Sequence, residues 1–149
     1  MNITIKAFVN LLSQKDLVYG HSRGWLEDQD ERFCDNALNR QTAARIVHQF
    51  MKIELGVSDL PDITPANMLA DLYTCHTCVN HIAQIYLRGI MDAQIVERDG
   101  IEYKVFNHYE EITSEESKQI LKNIKGCITT PLSWPKPVRV FASVCFSSG

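Results

Sequence analysis

Apolar residues at Ile5, Phe8, Val9 and Leu12 repeat at the three- and four-residue spacing that lines one face of a helix. Tyr19-Gly20 and Arg23-Gly24 interrupt that face, and residues 21–37 then read as a polar loop anchored by Trp25, Leu26 and Phe33. Asn39 is the N-cap expected before a long helix, whose buried stripe is Ala43, Ile46, Val47 and Phe50 and which ends near Gly56. Asp59, Pro61 and Asp62 mark a connector over 57–63. Thr64 before Pro65 then starts a short helix carrying Met68, Leu69 and Leu72. Val79, Ile82, Ala83 and Tyr86 line the next helix, which stops at Gly89. Over 94–106 the pattern changes to alternation around Asp99-Gly100, a dipeptide that supplies the positive φ angles of a two-residue hairpin turn. Thr113 and Glu116 form a capping-box pattern ahead of a helix with Ser117, Ile120, Leu121 and Ile124 on its narrow face. Pro131, Pro135 and Pro137 exclude helix from the tail, and 138–144 reads as a strand that needs a partner, either the hairpin or a part of a longer protein.

Two stretches of this pattern, 3–53 and 77–125, match one another at a nearly constant offset. Asp16-Leu17-Val18-Tyr19 falls on Gly89-Ile90-Met91-Asp92, and Leu38-Asn39-Arg40 on Ile112-Thr113-Ser114. A helix–loop–helix unit cannot bury its apolar face alone, so neighbouring copies must pack together. The expected fold is mainly α: two helix–loop–helix repeats packed as a small helical bundle over 1–125, a short β-hairpin, and a Pro-containing tail over 126–149 with a candidate strand.

The chain has 149 residues, 45% of them hydrophobic and 22% charged, an ordinary globular composition. A net charge of −3 gives no electrostatic footprint for nucleic acid. No stretch approaches the roughly 18 uninterrupted apolar residues of a membrane helix. Met-Asn-Ile-Thr-Ile-Lys shows no basic region followed by an apolar run, so no signal peptide is read. The five cysteines, Cys34, Cys75, Cys78, Cys127 and Cys145, are an odd number, which fits free thiols in a reducing compartment better than a disulfide framework.

The order of elements, with Tyr86-Leu87-Arg88-Gly89-Ile90-Met91, then Phe106, then Ile112-Thr113-Ser114-Glu115-Glu116, resembles the S-layer homology module. In the first copy the resemblance runs through Lys15-Asp16-Leu17-Val18-Tyr19-Gly20, Phe33 and Leu38-Asn39-Arg40-Gln41-Thr42. It covers roughly residues 3–125. The resemblance implies a pseudo-threefold helical bundle, commonly of three copies, whose grooves bind acidic, pyruvate-bearing polymers of the bacterial cell wall. It also implies that the arginine of the cap motif holds the acidic sugar, while its threonine and glutamate shape the helix start. Here the arginine survives only as Arg40, opposite Ser114, and the glutamate only as Glu116, opposite Thr42. The resemblance places the chain at a cell surface if it is an excised module, whereas the thiols point to the cytoplasm.

The candidate ligand contacts are Arg40, Trp25, Arg23, Arg88 and Lys104. Arg40 falls in the first turn of a helix, where free backbone N–H groups and the dipole favour an anion; the alternative is a solvated surface arginine. Trp25 beside Arg23 and His21 suits stacking on a sugar face, or else plugs the junction between repeats. Tyr103 and Lys104 are assigned to a comparable loop in the second copy. Glu116 reads as a capping residue.

Cys75-His76-Thr77-Cys78 is the one metal-like or redox-like motif. Zinc would need further ligands from Cys34, Cys127, His48, His81 or His108, none at ligand spacing to a neighbour. A redox pair is expected in a βαβ setting, which is absent, and two buried thiols on one helix face is the plainer account. Glu27, Asp28, Asp30 and Glu31 read as a solvated acidic loop without calcium-loop spacing. No phosphate loop, nucleophile elbow or paired-carboxylate pattern appears. The expectation is a non-catalytic binding module for an acidic cell-wall polysaccharide, with no cofactor. The alternatives are a protein-interaction or dimerisation module and a structural-zinc domain.

Overall fold

The computed structural model describes residues 2–128. Six helices and one hairpin follow in the order α1 (Ile5–Ser13), α2 (Leu17–Arg23), α3 (Asp28–Arg32), α4 (Arg40–Gln49), α5 (Val79–Leu87), β1 (Gln94–Arg98), β2 (Ile101–Val105) and α6 (Ser114–Ile128). The chain is thus mainly helical with a two-stranded antiparallel ribbon. The candidate strand over 138–144 lies outside the described residues, and α6 runs past residue 125, where the tail was expected to begin.

Three helix starts share one device. Thr4 accepts a hydrogen bond from the Ala7 amide, Asn39 from Thr42 and Thr113 from Glu116, so each cap side chain satisfies one of the donors that a helix leaves open. The residues before these caps meet at one point. Ile3 N–H donates to the Ile112 carbonyl at 3.0 Å, Ile112 N–H to Leu38 at 2.8 Å, and Leu38 N–H to Ile3 at 2.9 Å. This closed ring of backbone bonds is flanked by the bridges Asn2–Thr113, Thr4–Ala37 and Asn39–Glu111. The side chains of Leu38 and Ile112 are fully buried, with Ile3 packed on the same core. The two-copy reading of the sequence located the caps at Asn39 and Thr113 and did not count Thr4, which completes the ring.

Segment 21–37 differs from the loop expected. α2 continues through Gly20, where a Cβ would come within 2.7 Å of the Leu26 side chain and 3.0 Å of Trp25. Glycine is therefore required by packing, and the break falls later, at Gly24 with φ +93°. The acidic run forms α3, with Asp30 buried rather than solvated. Trp25 and Leu26 are core residues, whereas Phe33 and Met68 are exposed.

α4 packs against α5, and its last turn widens over Phe50–Glu54, where the Leu55 amide bonds back to Phe50. The connector is pinned by Gln84, whose buried amide accepts from Leu60 N–H at 2.8 Å and donates to the Leu60 carbonyl at 3.0 Å. Asp71 holds the far end of the hairpin by accepting from the Phe106 and Asn107 amides, each at 2.7 Å. The hairpin pairs Arg98 with Ile101 across Asp99 and Gly100, both at positive φ as the dipeptide required.

Candidate functional site

Arg40 does not face solvent or an open helix terminus. Its side chain runs inward over the Phe106 ring, 4.7 Å from the centroid. Nε donates to the Phe106 carbonyl at 2.7 Å, Nη2 to the Asp92 carbonyl at 2.5 Å, and Nη1 to the Glu116 carboxylate. The backbone donors around it are occupied as well: Arg40 N–H bonds Glu110, Gln41 N–H bonds His108, and Thr42 N–H bonds its own cap. The anion site expected at the start of α4 is therefore filled by the protein's own acceptors. Arg40 ties α4 to α6 and to the loops flanking the hairpin. Glu116, read from sequence as a capping residue, gives its carboxylate to Arg40 instead, and only its backbone amide takes part in the cap, donating to Thr113.

Trp25 is 0% exposed and packs edge-on against Phe50 at 5.0 Å, so it cannot stack on a sugar. Arg23 is half-exposed and pairs with Glu54 at 2.8 Å. The Tyr19 hydroxyl donates to the same carboxylate, and these two bonds hold Glu54 below the ordinary carboxylate range. Lys104 is exposed on β2, as is Tyr103, so both stand on a strand rather than in a loop.

Arg88 is different. It is 5% exposed at the end of α5, and Nη2 donates to the Ser58 carbonyl at 2.5 Å. Nη1 is buried with no hydrogen-bond partner. Burial pushes the guanidinium pKa down, with partial compensation from Asp59. A cavity of about 550 Å³ opens beside it, and the described lining is Arg88, Gly89, Lys122, Asn123, Gly126 and Cys127. Two cations and no carboxylate stand in that lining.

A second, polar cavity of about 290 Å³ lies between α3, α4 and the start of α5, lined by Glu27, Gln29, Gln41, Thr42, Arg45, Cys75, Thr77, Cys78 and His81. Arg45 is clamped from below by Asp30, with Nη1 and Nη2 donating at 2.9 and 2.6 Å to its two oxygens. Behind the cavity, His48 bridges Asp59 and His81, its Nε2 lying 2.7 Å from Asp59 Oδ1 and its Nδ1 2.7 Å from His81 Nδ1. Burial, then the neighbouring His48 and Arg45, push the His81 pKa down to about 4. Burial raises the Asp59 carboxyl, yet hydrogen bonds from His48 and Asn80 outweigh it and leave the pKa lowered.

The CxxC motif was expected to be two thiols on one helix face. Cys75 and Cys78 are instead joined in a disulfide, with Cys75 in extended backbone ahead of the helical run. Sulfurs bonded to one another cannot ligate zinc, and no group of three or more His, Cys, Asp or Glu poised for a metal occurs among the described residues. None of these described helices is long and apolar enough to cross a membrane.

Of the five contacts expected from sequence, Arg40 and Trp25 are internal, Arg23 is paired on the surface, Lys104 stands on the hairpin, and Arg88 combines an unpartnered nitrogen with a place in a cavity lining. The sequence missed Lys122 beside it, although Lys122 follows Leu121 on the polar side of a predicted helix. No family model matches the chain, and no curated protein or solved structure matches it either.

Proposed function

We propose that the chain is a non-catalytic binding module for an acidic glycan, on a scaffold similar to S-layer homology domains. The scaffold reading is supported by the ring of three capped helix starts at Ile3, Leu38 and Ile112, the kind of arrangement a threefold bundle requires. One observation carries the ligand reading: Arg88 and Lys122 line one cavity whose described lining holds no carboxylate. Arg88 and Lys122 bring two positive charges to one cavity, and a carboxylate or phosphate entering it would be drawn by both. Asn123, which also lines the cavity, is held in place at both ends of its amide, donating to the Ile90 carbonyl and accepting from the Gln119 side chain.

The test is co-sedimentation of the protein with Gram-positive cell-wall sacculi, before and after their secondary polymers are stripped. The expected result is pelleting that is lost on stripping and lost again in Lys122→Glu, an exposed position where the fold tolerates the change. Pelleting that survives both would overturn the acidic-glycan reading.

A protein-interaction role is favoured by a different observation. The hairpin is a two-stranded ribbon with Ile95, Ile101 and Tyr103 exposed on it, and no third strand is paired with it among the described residues. The edge of β2 is already used at Lys104, whose carbonyl accepts from Ala70 N–H, so the β1 edge is the one that suits strand addition by a partner. Concentration-dependent sedimentation of the wild type, abolished by Ile101→Lys, would support that role, and a monomer at all concentrations would argue against self-association.

A further inference from the structure

We propose that Cys75–Cys78 is a thiol–disulfide exchange site, with Cys75 the sulfur attacked by an incoming hydrophilic thiol. Three observations lead there. The bond spans a sequence separation of 3, among the smallest loops a disulfide can close, so it removes little entropy from the unfolded chain and ties no distant parts together. The two sulfurs are unequally placed: Cys75 is half-buried, and Cys78 is packed in the core. Both line the polar cavity beside α4, which offers a thiol-bearing ligand room and hydrogen-bond partners in Gln29, Gln41 and Thr42.

The surroundings of Cys75 favour its thiolate. It is the residue before a helical stretch over 76–87, though its side chain makes no cap bond there. Thr77 Oγ1 lies 3.4 Å from Cys75 Sγ. A disulfide sulfur carries no hydrogen, so the hydroxyl is the donor, and the same donor would serve a thiolate after reduction.

The chemistry closes in two steps. A thiolate attacks Cys75 Sγ; the new S–S bond forms as the Cys75–Cys78 bond breaks, and Cys78 leaves as a thiolate that takes a proton from water. A second thiolate attacks the sulfur of the bound thiol, releasing a small-molecule disulfide and the Cys75 thiolate. Two thiols are oxidised and the protein pair is reduced by two electrons; the reverse sequence oxidises it again. The site is independent of the Arg88 cavity, so its failure leaves the glycan reading untouched.

The experiment uses the full chain with Cys34→Ser, equilibrated in native buffer with reduced and oxidised glutathione and read by peptide mass mapping. The pair should reduce while the far-ultraviolet dichroism stays unchanged, and Cys78→Ser should collect glutathione at position 75. In the reduced protein Cys75 should alkylate about tenfold faster than Cys78, a measurement that needs no cysteine variant of the pair. Thr77→Val should slow both reactions. Reduction only after the fold is lost, or equal alkylation of the two thiols, would overturn the proposal.

Discussion

Arg40 and Arg88 are both buried arginines expected from sequence to face a ligand, and the surroundings of each give it a different use. Around Arg40 every side-chain nitrogen has an acceptor, two of them backbone carbonyls that cannot move away without undoing the loops near the hairpin. Around Arg88 one nitrogen is bonded and another is buried without a partner, and the residue lines a cavity. Burial therefore does not distinguish the two arginines; the completeness of their partners does. The comparison also shows why a helix start is not by itself an anion site. α4 has the dipole, but the chain supplies Glu110, His108 and Asn39 as acceptors before any ligand can.

The largest effect that sharpens this contrast is expected from Arg40→Met. The change removes three bonds, including the pair with Glu116, and should cost about 3–5 kcal/mol in urea unfolding, as breaking a buried charge pair does. Arg88→Met should give the opposite profile. It replaces an incompletely partnered buried charge by an apolar chain of similar length, so stability should change by less than about 1 kcal/mol while sacculus pelleting is lost. If Arg88→Met unfolds the protein as readily as Arg40→Met, the two arginines are doing the same work.

Next in size is Gly20→Ala. The added methyl meets the Leu26 side chain at 2.7 Å with Trp25 behind it, and overpacking of this kind costs about 1–3 kcal/mol. A measured loss near zero would mean that the α2 turn yields more easily than the fully buried indole suggests.

Much of this fold was legible because local rules and the global structure agree. Asp99-Gly100 fixes its hairpin whatever surrounds it, and Asn39 and Thr113 cap the helices they precede. What was hidden depends on partners distant in the chain. Arg40 looks like a surface residue until Asp92, Phe106 and Glu116 are brought to it, and Trp25 sits in a polar stretch whose burial comes from Phe50 on another element. Thr4 caps α1 as an ordinary helix start, and only the backbone ring ties it to the other two caps. The odd number of cysteines favoured free thiols, yet a disulfide between neighbours three apart needs no framework. The candidate site was the least legible part: Arg88 was named for its charge, while its idle nitrogen and the approach of Lys122 from α6 are tertiary facts.

The smaller effects test the polar network behind the second cavity. His81 is held at about 4, below the ordinary 6.5, so between those values the unfolded chain binds the proton that the folded chain refuses. Stability should therefore fall as pH drops from about 6.5 to about 4. With the ring only partly screened from water, the loss attributable to it is on the order of 2 kcal/mol. Asp59, also lowered, acts in the same direction at the acid end, because its charged form is the one that the fold holds. His81→Gln should flatten the slope between pH 6.5 and 4 while leaving stability at neutral pH nearly unchanged. An unaltered slope in that variant would move the acid sensitivity to other groups. Arg23→Ala sets the lower bound of the series. Its pair with Glu54 is open to solvent, and Tyr19 still donates to the same carboxylate, so melting and pelleting should both match the wild type. A loss of pelleting in Arg23→Ala, with Arg88→Met still binding, would move the ligand from the α5–α6 cavity to the face of α2.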